Sequence, residues 1–433
     1  MKALPLIIQK NLRDVVTLGS FSLQTFHINL STKYVDSFQE LPREAHLTLR
    51  HEFGHLLHYL TTYIGLKDLS FWVESIDVIQ KKMPKKTAEQ ELTWKAEQIL
   101  RIARTKQILS IDDEYYYEER PWEFENALLN KEIWQVKEVT GRLFRVDGSL
   151  SGHSFWATRF HVGHPDTSPS FLRIPVGMRT LLEHMAKAVD FLGEMKTQDR
   201  HSIVEKLSQQ AYVPSLLHYY CLTHWLAPLL ARIYGKENID KAYLVSGHLV
   251  LLLTEIPFDD PDIWRALRSF AEIHRPDLLP HLDVPHPSFI FPIFRAALEK
   301  SSHSFNTFQT DDIEQGMKHL LKEVGLPPLN ELQKHRDDLL KKILARLDTF
   351  PLGQKIKNLL EWVNNYSAEL SREDRLADPL KILNGQVPVP VIFNDDYFWE
   401  GGVLQIKKVE ALSHLVERQG QMLRFPHTRN LVD

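Results

Sequence analysis

Residues 50–60, RHEFGHLLHYL, constrain this chain more than any other stretch. Leu47, Leu56, Leu57, Leu60 and Ile64 recur at helical spacing and make one apolar face. His51, Glu52, His55 and His58 crowd the neighbouring side. Such a helix must bury one face, yet it carries imidazoles and a carboxylate to the edge of that burial, where polar groups need partners. Gly54 lowers helix propensity by roughly 1 kcal/mol, which implies that another element packs closely at that point.

Helical periodicity of this kind runs through much of the chain. It starts near Pro42, continues to Tyr63 with Gly65 as the expected stop, and resumes as two helices over 68–110 separated around Pro84. A further helix follows Gly177, and helical, apolar sequence dominates 198–275 and 292–370. Strand alternation is confined to 14–31, to 133–177 with a hairpin signature, and to VPVPVIF at 387–393; a last helix is expected near 403–418. The class expected is α+β, mainly α, with a small β-sheet and a large helical C-terminal part. Three units are expected: 1–197 with the β-rich segment, a helical region over 198–380, and a C-terminal strand and helix over 381–433.

The charge balance excludes several function classes. With 52 basic and 56 acidic residues the net charge is −4, and the short KKMPKK at 81–86 reads as a solvated loop, so no nucleic-acid partner is expected. Cys221 is the one cysteine, which rules out an intrachain disulfide and fits a reducing compartment. It lies in an apolar stretch and reads as a buried thiol. The N-terminal apolar run is too short for a secretory signal. The longest apolar segments, 215–231 and 243–258, are interrupted by polar residues, so no membrane span is expected. These features together predict a soluble, cytoplasmic protein.

His51, Glu52 and His55 form H-E-x-x-H. On a helix, positions i and i+4 lie about 40° apart and one turn along, so both imidazoles can grip one ion. In this reading Glu52 is the catalytic base, activating a zinc-bound water that attacks a peptide carbonyl, and later passes the proton to the leaving nitrogen. The motif would arise by chance roughly 0.07 times in a chain of this composition, and its unbroken helical setting strengthens it further. The longer metzincin pattern would need Gly at position 58 and His at 61, but His58 and Thr61 stand there. His58 therefore reads as a group supporting a ligand or as a surface imidazole.

A catalytic zinc site wants a third protein ligand. Glu183, in VGMRTLLEHMAKAVDF, sits among Leu181, Leu182, Met185 and Ala186, where a carboxylate needs compensation. Ala186, one turn on, would let its helix approach closely. Glu74 lies on a polar stripe with Ser70, Asp77 and Lys81, the pattern of a solvated face. Glu400 is followed by Gly401 and Gly402, which weaken any helix meant to hold a ligand. Glu183 ranks first, with Glu74 and Glu400 as alternatives. For transition-state stabilisation, His153, Arg159, His161, His164, Tyr219, Tyr220 and His248 are available, and none is singled out.

HEFGHLLHYLTTYIGL resembles a loose group of bacterial gluzincin-like proteins, in which H-E-x-x-H is followed by a Thr-Thr turn and Gly-Leu. A second motif in that group, Gly then Glu-x-x-Ala, is matched in form by GMRTLLEHMA at 177–186, with His184 where Gly is commoner. The resemblance covers about 40–66 and 173–192. It implies a gluzincin-like metallopeptidase core, Zn2+ held by His51, His55 and Glu183, and a peptide or protein substrate. Gluzincins often place an Asp four residues after the ligand Glu, to orient a metal-bound His. Lys187 stands there in this chain, and Asp190 is the nearest substitute. The spacing of Glu74 also resembles the aminopeptidase branch, without its Asn-Glu-Gly-x-Ala context. The alternatives are a zinc amidase acting on a non-protein substrate, or a catalytically inactive binding or regulatory protein on the same scaffold.

Overall fold

The structure, a computed structural model, describes residues 19–22, 26–80, 86–109, 116–117, 134–144, 150–162, 170–195, most of 221–235, 238–301, 313–349, 353–381, 383, 387–394 and 397–403. It is an α+β arrangement, mainly helical, with two small sheets.

Strands β1 (Gly19–Ser22) and β2 (His27–Leu30) pair antiparallel, with Gly19 opposite Leu30. Two helices follow, α1 (Arg43–Thr61) and α2 (Tyr63–Gln80), with α3 (Ala88–Leu109) packed on α2. The second sheet holds β3 (Tyr116–Tyr117), β4 (Trp134–Phe144), β5 (Leu150–Val162) and β6 (Ser170–Pro175), antiparallel in the order β3-β6-β5-β4. Next come α4 (Met178–Met195), α5 (Ile239–Thr254), α6 (Pro261–His274), α7 (Ile290–Lys300), α8 (Ile313–Val324), α9 (Leu329–Leu347), α10 (Gly353–Glu369) and the short α11 (Arg372–Ala377). Strands β7 (Val391–Phe393) and β8 (Phe398–Trp399) complete the first sheet, whose order is β1-β2-β7-β8.

β7 runs parallel to β2, with Ile28 opposite Val391, so the end of the described chain closes the sheet that its beginning opens. Only the last three residues of VPVPVIF form the strand. Pro388 and Pro390 have no N–H to give a ladder. One hydrophobic core runs from Phe26 through Leu56, Leu182, Leu249, Phe294 and Leu360 to Phe393, joining both sheets' surroundings to the C-terminal helices. Fully buried side chains such as Phe53, Leu57 and Leu249 each contribute roughly 1.5–3 kcal/mol.

Gly65 does not stop α1, contrary to expectation. The break falls at Thr62, whose backbone is extended (ψ 155°) and whose hydroxyl donates to the His58 carbonyl at 2.7 Å. The same hydroxyl accepts the Gly65 N–H at 3.3 Å, so Thr62 closes one helix and opens the next. Gly65 is needed for the corner itself, because a Cβ there would collide with the Tyr59 carbonyl. Among the described residues no helix is long and apolar enough to cross a membrane. The expected helix near 403–418 and most of KKMPKK lie outside the described residues.

Candidate metal centre

Helices α1 and α4 cross at Gly54. An added Cβ there would stand 3.3 Å from Val189 Cγ2 and 3.8 Å from Ala186 Cα, so the two backbones approach as closely as the missing side chain allows. The meeting pairs, His55 with Glu183, His51 with Asp190 and Gly54 with Val189, show the helices running in opposite directions. Each carries its polar groups at the edge of an apolar face, and crossing brings those edges together.

Three of these groups form one cluster: His51, His55 and Glu183 each offer a ligand atom, all within 4.8 Å of one another. His51 Nε2 and His55 Nε2 are 3.2 Å apart, and His55 Nε2 lies 3.2 Å from Glu183 Oε2. A tetrahedral zinc with bonds near 2.0–2.1 Å needs ligand atoms separated by about 3.3 Å, so the two 3.2 Å spacings and the N,N,O donor set suit such an ion. The three side chains are only 12–14% exposed, which makes three ionisable groups in contact costly without compensation.

Behind the cluster, His51 Nδ1 lies 3.1 Å from Asp190 Oδ2, and Lys187 Nζ donates to the same oxygen at 2.7 Å. Burial works to raise the Asp190 pKa, but Lys187 and His51 outweigh it and hold the carboxyl well below the usual range. An ionised carboxylate only accepts, so Nδ1 of His51 is the nitrogen that donates, and in the neutral ring this leaves the Nε2 lone pair to the cluster. Burial works to lower the His55 pKa, yet Glu183, Glu52 and Asp190 reverse the effect and raise it.

Glu52 follows the first imidazole and is buried, 7% exposed. Strand β1 runs over it: a Cβ on Gly19 would stand 3.4 Å from Glu52 Cγ and would collide with Thr48 and the Asn29 carbonyl. Among the described residues β1 stands at one end of its sheet. The expectation had no part for Gly19. Its one visible signal was a lone glycine in an alternating stretch, which often marks close approach of another element.

Other candidates fall elsewhere. Glu74 lies partly exposed on α2, 3.9 Å from Arg346 Nη1, and Glu400 is exposed beyond β8. His58 is not a surface imidazole: it is fully buried, and burial, with Arg375 and His55 adding to it, pushes it down to about 3. His248 is buried on α5, where burial and then Arg372 and Arg375 push it down to about 4. His161 is buried on β5, and Cys221 is buried and forms no disulfide. The side chains of His153, His164, Tyr219 and Tyr220 lie outside the described residues. No protein-family model, curated protein or solved structure matches the chain.

Proposed function

We propose that this chain is a zinc-dependent hydrolase with a gluzincin-like core, acting on peptide bonds. The observation that carries the reading is the convergence of His51, His55 and Glu183 on one point, with Glu52 beside them on α1. A zinc ion held by these three side chains would supply Lewis-acid polarisation of a carbonyl and acidify water. Glu52 would take the proton from the attacking water as its oxygen bonds to the carbonyl carbon. The same carboxyl would hand that proton to the nitrogen as the C–N bond breaks. Asp190 would hold His51 in the one tautomer that leaves Nε2 free. Strand β1, which ends its sheet among the described residues and runs beside Glu52, favours an extended peptide over a compact small molecule, since a strand edge offers backbone donors and acceptors in register.

The test is hydrolysis of a mixed peptide library by the zinc-loaded protein, read by mass spectrometry. Cleavage by the wild type, absent in Glu52→Gln at equal zinc content, supports the reading. Equal cleavage by both proteins, or none by either, removes it.

A further inference from the structure

One crossing contact at Gly54 does not by itself define the site. A roll or slide of α4 on α1 would carry Asp190 and Glu183 away from the two imidazoles, so close contacts on either side of Asp190 bear on the site. A second contact lies one turn away on each helix. Arg50, four residues before Gly54, is buried at 7% exposure, and its guanidinium lies against α4 at Gly193, four residues after Val189. A Cβ on Gly193 would collide with Arg50 Nη1 and Cζ and would stand 2.6 Å from the Ala377 carbonyl of α11. Only glycine leaves room for the planar guanidinium between these backbones. Arg50 Nη2 also donates to the Asp190 carbonyl at 3.4 Å, and the charge of Arg50 is offset by Asp190, Asp378 and Glu194.

We propose that Arg50, seated on Gly193, is a positioning residue that fixes the register of α4 on α1 and so holds Asp190 against His51. The inference rests on the metal reading only for its consequence; the contact between Asp190 and His51 is its immediate object. Arg50 and Gly193 stand 143 residues apart, and no sequence motif connects them. Asp190 lies between the two contacts, so both bear on its carboxylate, 3.1 Å from His51 Nδ1.

The experiment has two readouts on the full chain. The first is the tautomer of His51 in metal-free protein, from imidazole nitrogen NMR at a pH where the ring is neutral. Wild type should show the Nδ1-protonated form, and Arg50→Met and Gly193→Ala should both lose it, while Arg50→Lys retains part. The second is zinc affinity by competition with a chelator. Arg50→Met should weaken binding about 10–100-fold, the loss expected when support behind a metal-bound histidine is removed. The double variant Arg50→Met with Asp190→Asn should bind no more weakly than Asp190→Asn alone. Additive losses, or an unchanged tautomer in folded Arg50→Met or Gly193→Ala, would overturn the proposal. If Arg50→Met does not fold, Arg50→Lys and Gly193→Ala carry the same two measurements. A wild type that binds no zinc would sink the metal reading alone, and the tautomer would still decide the role of Arg50.

Discussion

Gly54 offers a graded way to test whether helix crossing builds the metal centre. In Gly54→Ala the new Cβ stands 3.3 Å from Val189 Cγ2, against an ordinary carbon–carbon contact of about 3.5–4.0 Å, so α4 must retreat by a few tenths of an ångström. Alanine also recovers about 1 kcal/mol of helix propensity, which offsets the crowding. Metal sites tolerate about 0.2 Å of error in ligand distance, so the same small retreat strains Glu183 and loosens Asp190. The metal-free stability of Gly54→Ala should stay within about 1 kcal/mol of wild type. Its zinc affinity should fall about tenfold, or about 1.4 kcal/mol. Valine reaches a further bond length of about 1.5 Å and cannot be absorbed so cheaply. Gly54→Val should lose about 1–3 kcal/mol from overpacking and bind zinc about a hundredfold more weakly or worse. Urea unfolding with zinc and with chelator measures both quantities, because bound ligand adds stability that grows with the logarithm of its affinity. Wild-type zinc affinity in a folded Gly54→Val protein would refute the reasoning.

Further outcomes follow from neighbouring groups. Asp190→Asn should keep the fold and weaken zinc binding by about 10–100-fold, read by chelator competition. His58 and His248 are held at about 3 and about 4 in the folded state, below an unfolded value of 6.5, so folding favours their neutral forms. Their contribution is therefore present above pH 6.5 and lost as pH falls towards 3. By pH 4.5 His58 alone should cost on the order of 3 kcal/mol, and His58→Leu should flatten that part of the profile in urea titrations at several pH values. Zinc binding should also weaken on acidification from a point above the ordinary histidine value, because Glu183 raises the His55 pKa and protons compete with the ion; affinity titrations from pH 8 to 5 check this.

The mainly helical class was legible in the periodicity, and so were the features of α1 that depend on neighbours along the chain. Gly54 announced a close approach, and Val189 and Ala186 make it. Glu183 stood out because its sequence neighbours are apolar; of the polar stripe around Glu74, Asp77 is exposed while Ser70 and Glu74 are half-buried, with Glu74 near Arg346 of α9. What escaped was non-local. The helix break at Thr62 depends on one hydroxyl serving two helices, which Gly65 masked in the sequence. Burial of Arg50 depends on a glycine and a carbonyl from two later helices, and no local pattern predicts that an arginine will lie inside. His58 looked polar and accessible because its neighbour in the fold, Arg375, comes more than three hundred residues later. The pairing of β7 with β2 had the same obstacle, since strand signals do not name their partners.

The central claim is that His51, His55 and Glu183 hold one zinc ion. A crystal structure of the zinc-loaded protein, with data on both sides of the zinc absorption edge, tests it directly. The account predicts a single anomalous peak about 2.0–2.2 Å from His51 Nε2, His55 Nε2 and a Glu183 oxygen, lost in His51→Ala. A zinc-loaded protein with no peak at that point, or with the ion held by other side chains, would contradict it.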